Sequence, residues 1–522
     1  MNAAAAVLLT ALGLAPGASA ADPAKSAALT AKDLSGTWAG ELAHDGETAS
    51  FALDIEPGDD GKVLLKMSMP IVHVAHQPIA KLAPEIEGDE LRLGPFRFEY
   101  DATAKTLSGV MPKELIPLYE MPVVLRRVER FDVPPRAEAE APLVEPVWTF
   151  DAGSPLWAGA TYADGVVYAG GVDGGFHAID ARTGKERWSF RAGGPIRSLA
   201  TVSGGSVFFQ ADDGILYKLA AADGVERWRS KVVEKPIVRL PFDDPKSRYD
   251  RFGSGVTVAD GRLYLGTHDG RLLAVDAATG SRLWEFASGD SVLSAPAVEK
   301  GRIYFGSFDG FVYALDAEKG ALVWKRDTHG AVVSTPAVDT ARGRVVVGNR
   351  SYDLLGLDLA TGGPAWTRYI WGSWVESSAS LRDGVAYVGS SDAAALFAFD
   401  VRTGRRLWAT DVHGWAWGQP AVTKGRVFAG TAATKDYLVG HRGGAFSVER
   451  ATGKPVWQYT AKPADSGSYG FPGRRASGPI SSSSPASTAA STPSRSSERT
   501  HGDGRPVYDR CLFRWCYDVA GG

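Results

Sequence analysis

The chain has 522 residues, 44% hydrophobic and 10% aromatic, with 61 Gly and 30 Pro. Its 57 basic and 60 acidic residues leave a net charge of −3, which gives no electrostatic case for nucleic acid or anionic membrane as a partner. The length allows two or more domains, and the Gly and Pro content suits a turn-rich all-β protein.

Residues 1–20 read as a secretory signal, a short apolar run ending in Ala18-Ser19-Ala20. An exported protein, periplasmic or extracellular, is therefore expected. No Cys stands at the cleavage point, so a lipid anchor is unsupported, and no other stretch is long and apolar enough to span a membrane. The only cysteines, Cys511 and Cys516, lie near the C-terminus, so disulfides are not part of the folding plan.

Residues 33–130 read as a separate small β domain. LSGTWAGEL, ASFALDIEP, KVLLKMSMP, FRFEYD and VVLRRV are strand-like runs. The opening Gly36-Thr37-Trp38-Ala39-Gly40 resembles the start of small exported β-barrel modules, which implies a β-barrel-like domain. His73 and His76 form an H-x-x-H pair, but on a strand they face opposite sides, so shared metal ligation would need a bend. Residues 131–147, with Pro134, Pro135 and an AEAEAP run, read as a linker.

From residue 148 to 460 the chain repeats itself. Asp290 to Asp327 shows the unit: the β-prone runs SAPAV, RIYFGS, FVYALD and ALVWKRD, separated by Lys300-Gly301, Asp309-Gly310 and Lys319-Gly320. A Trp follows a turn Gly by four residues at Gly184/Trp188, Gly224/Trp228, Gly280/Trp284, Gly320/Trp324, Gly362/Trp366, Gly404/Trp408 and Gly453/Trp457. A four-stranded unit at this spacing is the signature of a β-propeller blade. Trp148 has the form of a fourth strand with no first three before it, so it is expected to complete a final blade.

The core Ala274, Asp276, Thr279, Gly280, Trp284 resembles the pyrroloquinoline-quinone-type propeller repeat. The seven Gly/Trp units and the lone Trp148 strand predict an eight-bladed-type β-propeller: seven complete blades, and an eighth that is truncated or frameshifted. An eighth blade should begin near Tyr469, yet residues 461–522 turn into a Ser/Pro-rich tail expected to be disordered or out of frame. A shifted reading of Ser481–Ser496 can encode LVFVAGLDGRVHALAL, which has the missing blade pattern. On that reading Cys511 and Cys516 are translation noise.

The repeat is shared with quinone-dependent alcohol and sugar dehydrogenases, which are implied to hold pyrroloquinoline quinone (PQQ) beside a Ca²⁺ ion over the propeller axis. No Asp/Asn/Glu cluster maps to that ion site, and the blades are short, with few insertions that could build a catalytic cap. Metalloprotease, hydrolase, Walker and dinucleotide motifs are also missing. No catalytic or metal-ligating residue is assigned, and no cofactor is expected outside the dehydrogenase alternative.

The Asp-Gly pairs at Asp164, Asp173, Asp213, Asp260, Asp269, Asp309 and Asp383 read as turn chemistry, and the repeat Trp as inter-blade packing. The residues that break the repeat are the binding candidates. They are Arg239 and Arg251 in the insertion at 231–253, Tyr369, Trp371 and Trp374 after blade five, and His413, Trp415 and Trp417 after blade six. Arg197 and Glu376 stand near the starts of inner strands, where sister blades carry Ser254, Ser294 and Ser334. With the expanded turn at 431–444, all are expected on one exposed face of the disc. The expected role is non-enzymatic: binding or scaffolding a protein, peptide or glycan, like the propeller component of the outer-membrane β-barrel assembly machinery.

Overall fold

A computed structural model describes residues 31–44, 47–112, 119–134, 136, 141–240, 251–434, 440–463, 468–471 and 511–512. Residues 1–20, read as a signal, lie outside them. Among the described residues no helix is long and apolar enough to cross a membrane.

The N-terminal domain opens with a short helix, Ala31–Leu34. Nine strands follow: β1 Gly36–His44, β2 Glu47–Pro57, β3 Val63–Met69, β4 Val74–Leu82, β5 Glu85–Glu87, β6 Glu90–Leu93, β7 Phe96–Asp101, β8 Thr106–Val110 and β9 Pro122–Val128. They form one antiparallel sheet in the order β4-β3-β2-β1-β9-β8-β7-β6-β5. The sheet is a curled half-barrel, since β4 and β5 are its two edges, so the expected barrel does not close. The alternation in β2 explains the curl's filling. Phe51, Leu53 and Ile55 point inward and are fully buried, packing with Trp38 and Leu65. The Trp38 indole donates to the Leu34 carbonyl at 2.8 Å, which ties the helix to the sheet.

The propeller comprises seven sheets of four antiparallel strands, the seventh extended by Ser468–Gly470 against Ala432–Thr434. Blade four matches the sequence runs: Ala297–Glu299, Arg302–Gly306, Phe311–Asp316 and Leu322–Asp327. Each fourth strand carries one extra residue just before its Trp, as with Val323 between Leu322, opposite Leu315, and Trp324, opposite Ala314. Asp164-Gly165, Asp260-Gly261 and Asp383-Gly384 all have positive φ, as a two-residue hairpin of this hand requires. Asp173, Asp213 and Asp309 instead accept the amide two residues on, at about 3.0 Å, and close the next turn.

The Trp series locks neighbouring blades. Trp148, Trp188, Trp228, Trp284, Trp324, Trp366 and Trp408 lie against Gly184, Gly224, Gly280, Gly320, Gly362, Gly404 and Gly453 of the following blade. Six of these indoles donate to a carbonyl there, from Trp148 on Ala181 to Trp408 on Arg450. The exception is Trp228: Lys218 takes the equivalent carbonyl, Ala277, at 2.8 Å, and the Trp228 indole N–H has no hydrogen-bond acceptor among the described residues.

No eighth four-stranded sheet is present among the described residues, and the stretch read as a displaced blade, Ser481–Ser496, lies outside them. Two short pieces of the tail are strand. Besides Ser468–Gly470, Cys511–Leu512 pairs antiparallel with Thr149–Phe150, the strand that follows Trp148. The linker also has a place: Leu143 bridges Gln458 in parallel on the outer edge of blade seven.

The two domains share a hydrophobic cluster. It runs from Leu34, Trp38 and Met69 of the N-terminal sheet to Tyr369, Trp371, Phe397 and Phe399 of blades five and six. The Tyr119 hydroxyl donates to Asp353 at 2.9 Å, His44 packs on both Tyr119 and Tyr369, and Arg406 pairs with Glu47 at 3.3 Å.

Candidate binding face

In a four-stranded meander the second-to-third turn and the link to the next blade fall at the same end of the strands. Backbone bonds tie them together in successive blades: Asp212 to Pro195, Phe308 to Ser291, Arg350 to Ala331 and Ser391 to Trp374. The departures from the repeat therefore collect on one face, around the mouth of the central channel.

One side of the mouth is a guanidinium clamp. Arg239 donates two bonds to the Asp212 carboxylate, at 2.9 and 3.0 Å, and Arg197 adds a third at 3.0 Å. Asp212 is only 6% exposed. Arg251 lies over the Trp157 ring at 4.7 Å, and its carbonyl accepts from Arg197. The described parts of the insertion are thus held by charge.

The opposite side is aromatic. Arg350 is sandwiched between Phe308 and Trp374, 4.9 and 5.0 Å from the ring centroids, and pairs with Glu376 at 2.5 Å. Trp417 stacks on Trp415 at 4.8 Å with an interplanar angle of 9° and donates to the Ser391 hydroxyl. Trp157, Phe308, Trp374 and Trp417 are all half-buried, so each offers part of a ring to solvent.

Sequence reasoning placed Arg197 and Glu376 at the Ser position of sister blades. The register is one residue off. Ser198 and Ser377 are the true equivalents of Ser254, Ser294 and Ser334: each hydroxyl accepts the amide at the end of the second strand, as from Gln210, Gly266, Gly306, Gly348 and Gly389. Arg197 and Glu376 therefore precede the Ser, and each pairs within its own side of the mouth.

Four expected surface residues are not exposed. Tyr369 and Trp371 lie in the cluster shared with the N-terminal domain, 7% and 3% exposed. His413 and Trp415 are 2% and 3% exposed. Trp415 is bonded through its backbone to Ala432 in the extended second strand of blade seven. The physical reason is that the chain covers this part of the face with its own sheet and its own expanded turn. Asp212, Phe308, Arg350 and Trp157 were missed. The first three share one signal: they fill the variable site just before the second-to-third turn, where sisters carry Val172, His268 and Ser391.

A second cluster sits at the domain junction. Arg136 from the linker binds the Asp411 carboxylate with two nitrogens, one at 2.6 Å, and His73 Nε2 and His413 Nδ1 each approach it at 3.7 Å. Arg136 outweighs burial and holds the Asp411 carboxyl below its usual range. Burial, reinforced by Arg136, lowers His73, and the same causes push His441 down to about 3. His73 and His76 both have positive φ, so the bend that joint ligation requires exists. Yet His76 turns to Asp54 at 2.7 Å, away from His73's partner. Among the described residues no group of three His, Cys, Asp or Glu is placed to hold a metal ion.

The described residues of the mouth do not fit a quinone with its Ca²⁺: among them the buried carboxylates Asp212 and Glu376 are already engaged by guanidinium groups.

The family described as outer membrane protein assembly factor BamB matches residues 145–242 and 228–459, more than half of the chain. No curated protein matches. Among solved structures, BamB from Moraxella catarrhalis is 18% identical, covering 56% of this chain and 92% of that one with a TM-score of 0.47. The computationally designed Ika8 protein is 17% identical, covering 59% and 89% with a TM-score of 0.49. Quinohemoprotein alcohol dehydrogenase from Comamonas testosteroni is 16% identical, covering 63% and 70%, also with a TM-score of 0.49. The chain belongs to the PQQ-like β-propeller family described as outer membrane protein assembly factor BamB.

Proposed function

We propose that this chain is an exported, non-enzymatic binding protein that holds a protein, peptide or glycan partner against the mouth of its propeller channel. The observation that carries the reading is the set of half-buried rings, Trp157, Phe308, Trp374 and Trp417, interleaved with Arg251 and Arg350. Rigid aromatic area beside oriented guanidinium is the composition of binding hot spots. Membership in a family described as an assembly factor supports a protein partner in the periplasm, at the outer membrane. Neither nucleic acid nor a cofactor belongs to this reading. PQQ and Ca²⁺ belong to the alternative, a quinone-dependent alcohol or sugar dehydrogenase, which the engaged carboxylates of the mouth disfavour.

Of the ten residues singled out from sequence, Arg197, Arg239, Arg251, Trp374, Glu376 and Trp417 build the mouth. Trp415 supports it from beneath Trp417, whereas Tyr369, Trp371 and His413 are buried toward the domain junction. Titration with PQQ and Ca²⁺ separates the two functions: the proposal expects no saturable binding, and stoichiometric binding would sink it.

The reading extends to an eight-bladed design. Trp148 docks on blade one as the repeat Trp from Trp188 to Trp408 dock on their successors, so it occupies the fourth-strand place of a blade preceding the first. Trp457 has the matching form at the other end and packs on Phe428 as other repeat Trp pack on an aromatic of their own blade, but among the described residues no turn Gly of a following blade lies against it. Sequencing the coding DNA tests the displaced frame: codons that cannot yield LVFVAGLDGRVHALAL would end that idea.

A further inference from the structure

A cleft of about 270 Å³ lies where the N-terminal sheet meets blades five and six. The sheet contributes His44 and Glu47, and the propeller contributes Arg368, Arg405, Arg406 and an apolar wall that includes Trp371 and Phe399. Three guanidinium groups thus face one carboxylate. Glu47 is spent on Arg406 at 3.3 Å. Arg368 donates to the carbonyls of Thr367 and Gly404 at 2.8 Å and of Thr403 at 3.3 Å, which fixes the direction of its guanidinium. Arg405 is exposed, and its guanidinium has no hydrogen-bond or ion-pair partner among the described residues.

We propose that this cleft binds a small organic carboxylate, with the carboxylate on Arg405 and a flat apolar body over the ring edges that the otherwise buried Trp371 and Phe399 show at the cleft wall. The guanidinium fork matches a carboxylate in two parallel hydrogen bonds. The fixed Arg368 adds positive field without an ordering cost at binding. The volume lies at the small end of the range for ligand pockets, about 300 Å³, so a single ring with one acid group fits and a polymer segment does not. An inorganic anion would leave the apolar wall uncovered. Both domains line the cleft, so the bound acid would also bridge them and raise the unfolding temperature.

The test is isothermal titration of the full chain with benzoate, with benzamide and inorganic phosphate as controls. Saturable one-to-one binding of benzoate is expected, with benzamide and phosphate showing none. Arg405→Ala should weaken benzoate about tenfold or more, the scale of one charge-assisted pair, while leaving the unfolding temperature of the free protein unchanged. Trp417→Ala, on the channel mouth, should bind benzoate as the parent does, which separates this site from the proposed partner face. The inference is overturned if benzoate does not saturate, if benzamide or phosphate binds equally well, or if Arg405→Ala makes no difference.

Discussion

Asp212 accepts three hydrogen bonds from Arg197 and Arg239 while almost wholly out of water. Removing one partner of such a group leaves uncompensated buried charge, so Asp212→Ala should cost about 3–5 kcal/mol by urea denaturation. A loss within experimental error would mean that the clamp is solvated. The junction histidines set a pH dependence. Folding lowers His441 and His73, so the unfolded chain binds protons more readily. Their contribution is fully present above the unfolded value of roughly 6.5 and is lost as pH falls through that value toward the folded one, about 3 for His441. Asp411, also lowered, loses its bond to Arg136 toward the acid end of the same range. Stability should therefore fall steadily from pH 6.5 downward, and His441→Gln should flatten that slope; an unchanged slope would place the acid sensitivity elsewhere.

At the scale of the element, the hairpin between third and fourth strands is the unit of ring assembly. The Asp carboxylate of the Asp-x-x-Thr-Gly turn accepts the Thr amide and hydroxyl, as Asp276 does from Thr279 at 2.8 and 2.9 Å. The Gly then takes a positive φ beneath the previous blade's Trp. Gly404 has φ +70°, and a Cβ there would stand 2.6 Å from the Trp366 ring. Gly404→Ala should therefore cost about 2 kcal/mol or more in the same denaturation assay, from left-handed strain and overpacking together. A neutral effect would show that the blades adjust freely. This level was the most legible in the sequence, because turn Gly and Trp each have one residue type that fits. The N-terminal strands were less so. The runs over β1, β2, β3, β7 and β9 alternate or are apolar enough to read, whereas β5, β6 and β8 are three to five residues long and set by their neighbours.

At the scale of the whole molecule, the N-terminal sheet is part of the propeller's surface and not a module on a tether. That was illegible in the sequence: Tyr369 and Trp371 look alike whether they await a partner or already have one, and only the sheet's placement decides. Cutting the chain before residue 131 should expose both rings, and the propeller alone should aggregate or bind an apolar dye that the full chain does not. If the tail is displaced in frame, restoring the eighth blade should raise the unfolding temperature by giving Trp457 a following blade to pack on and Trp148 the rest of its sheet. The claim that matters most is the partner face. The most direct measurement immobilises the full chain, captures partners from a periplasmic extract, and compares them with those held by Trp374→Ala/Trp417→Ala and by a control variant of the exposed Leu283, Leu283→Ala. The account predicts one saturable partner, lost in the aromatic double variant and kept in the control, with all three proteins unfolding at similar temperatures. A partner retained by the double variant, or none captured by the parent, would contradict it.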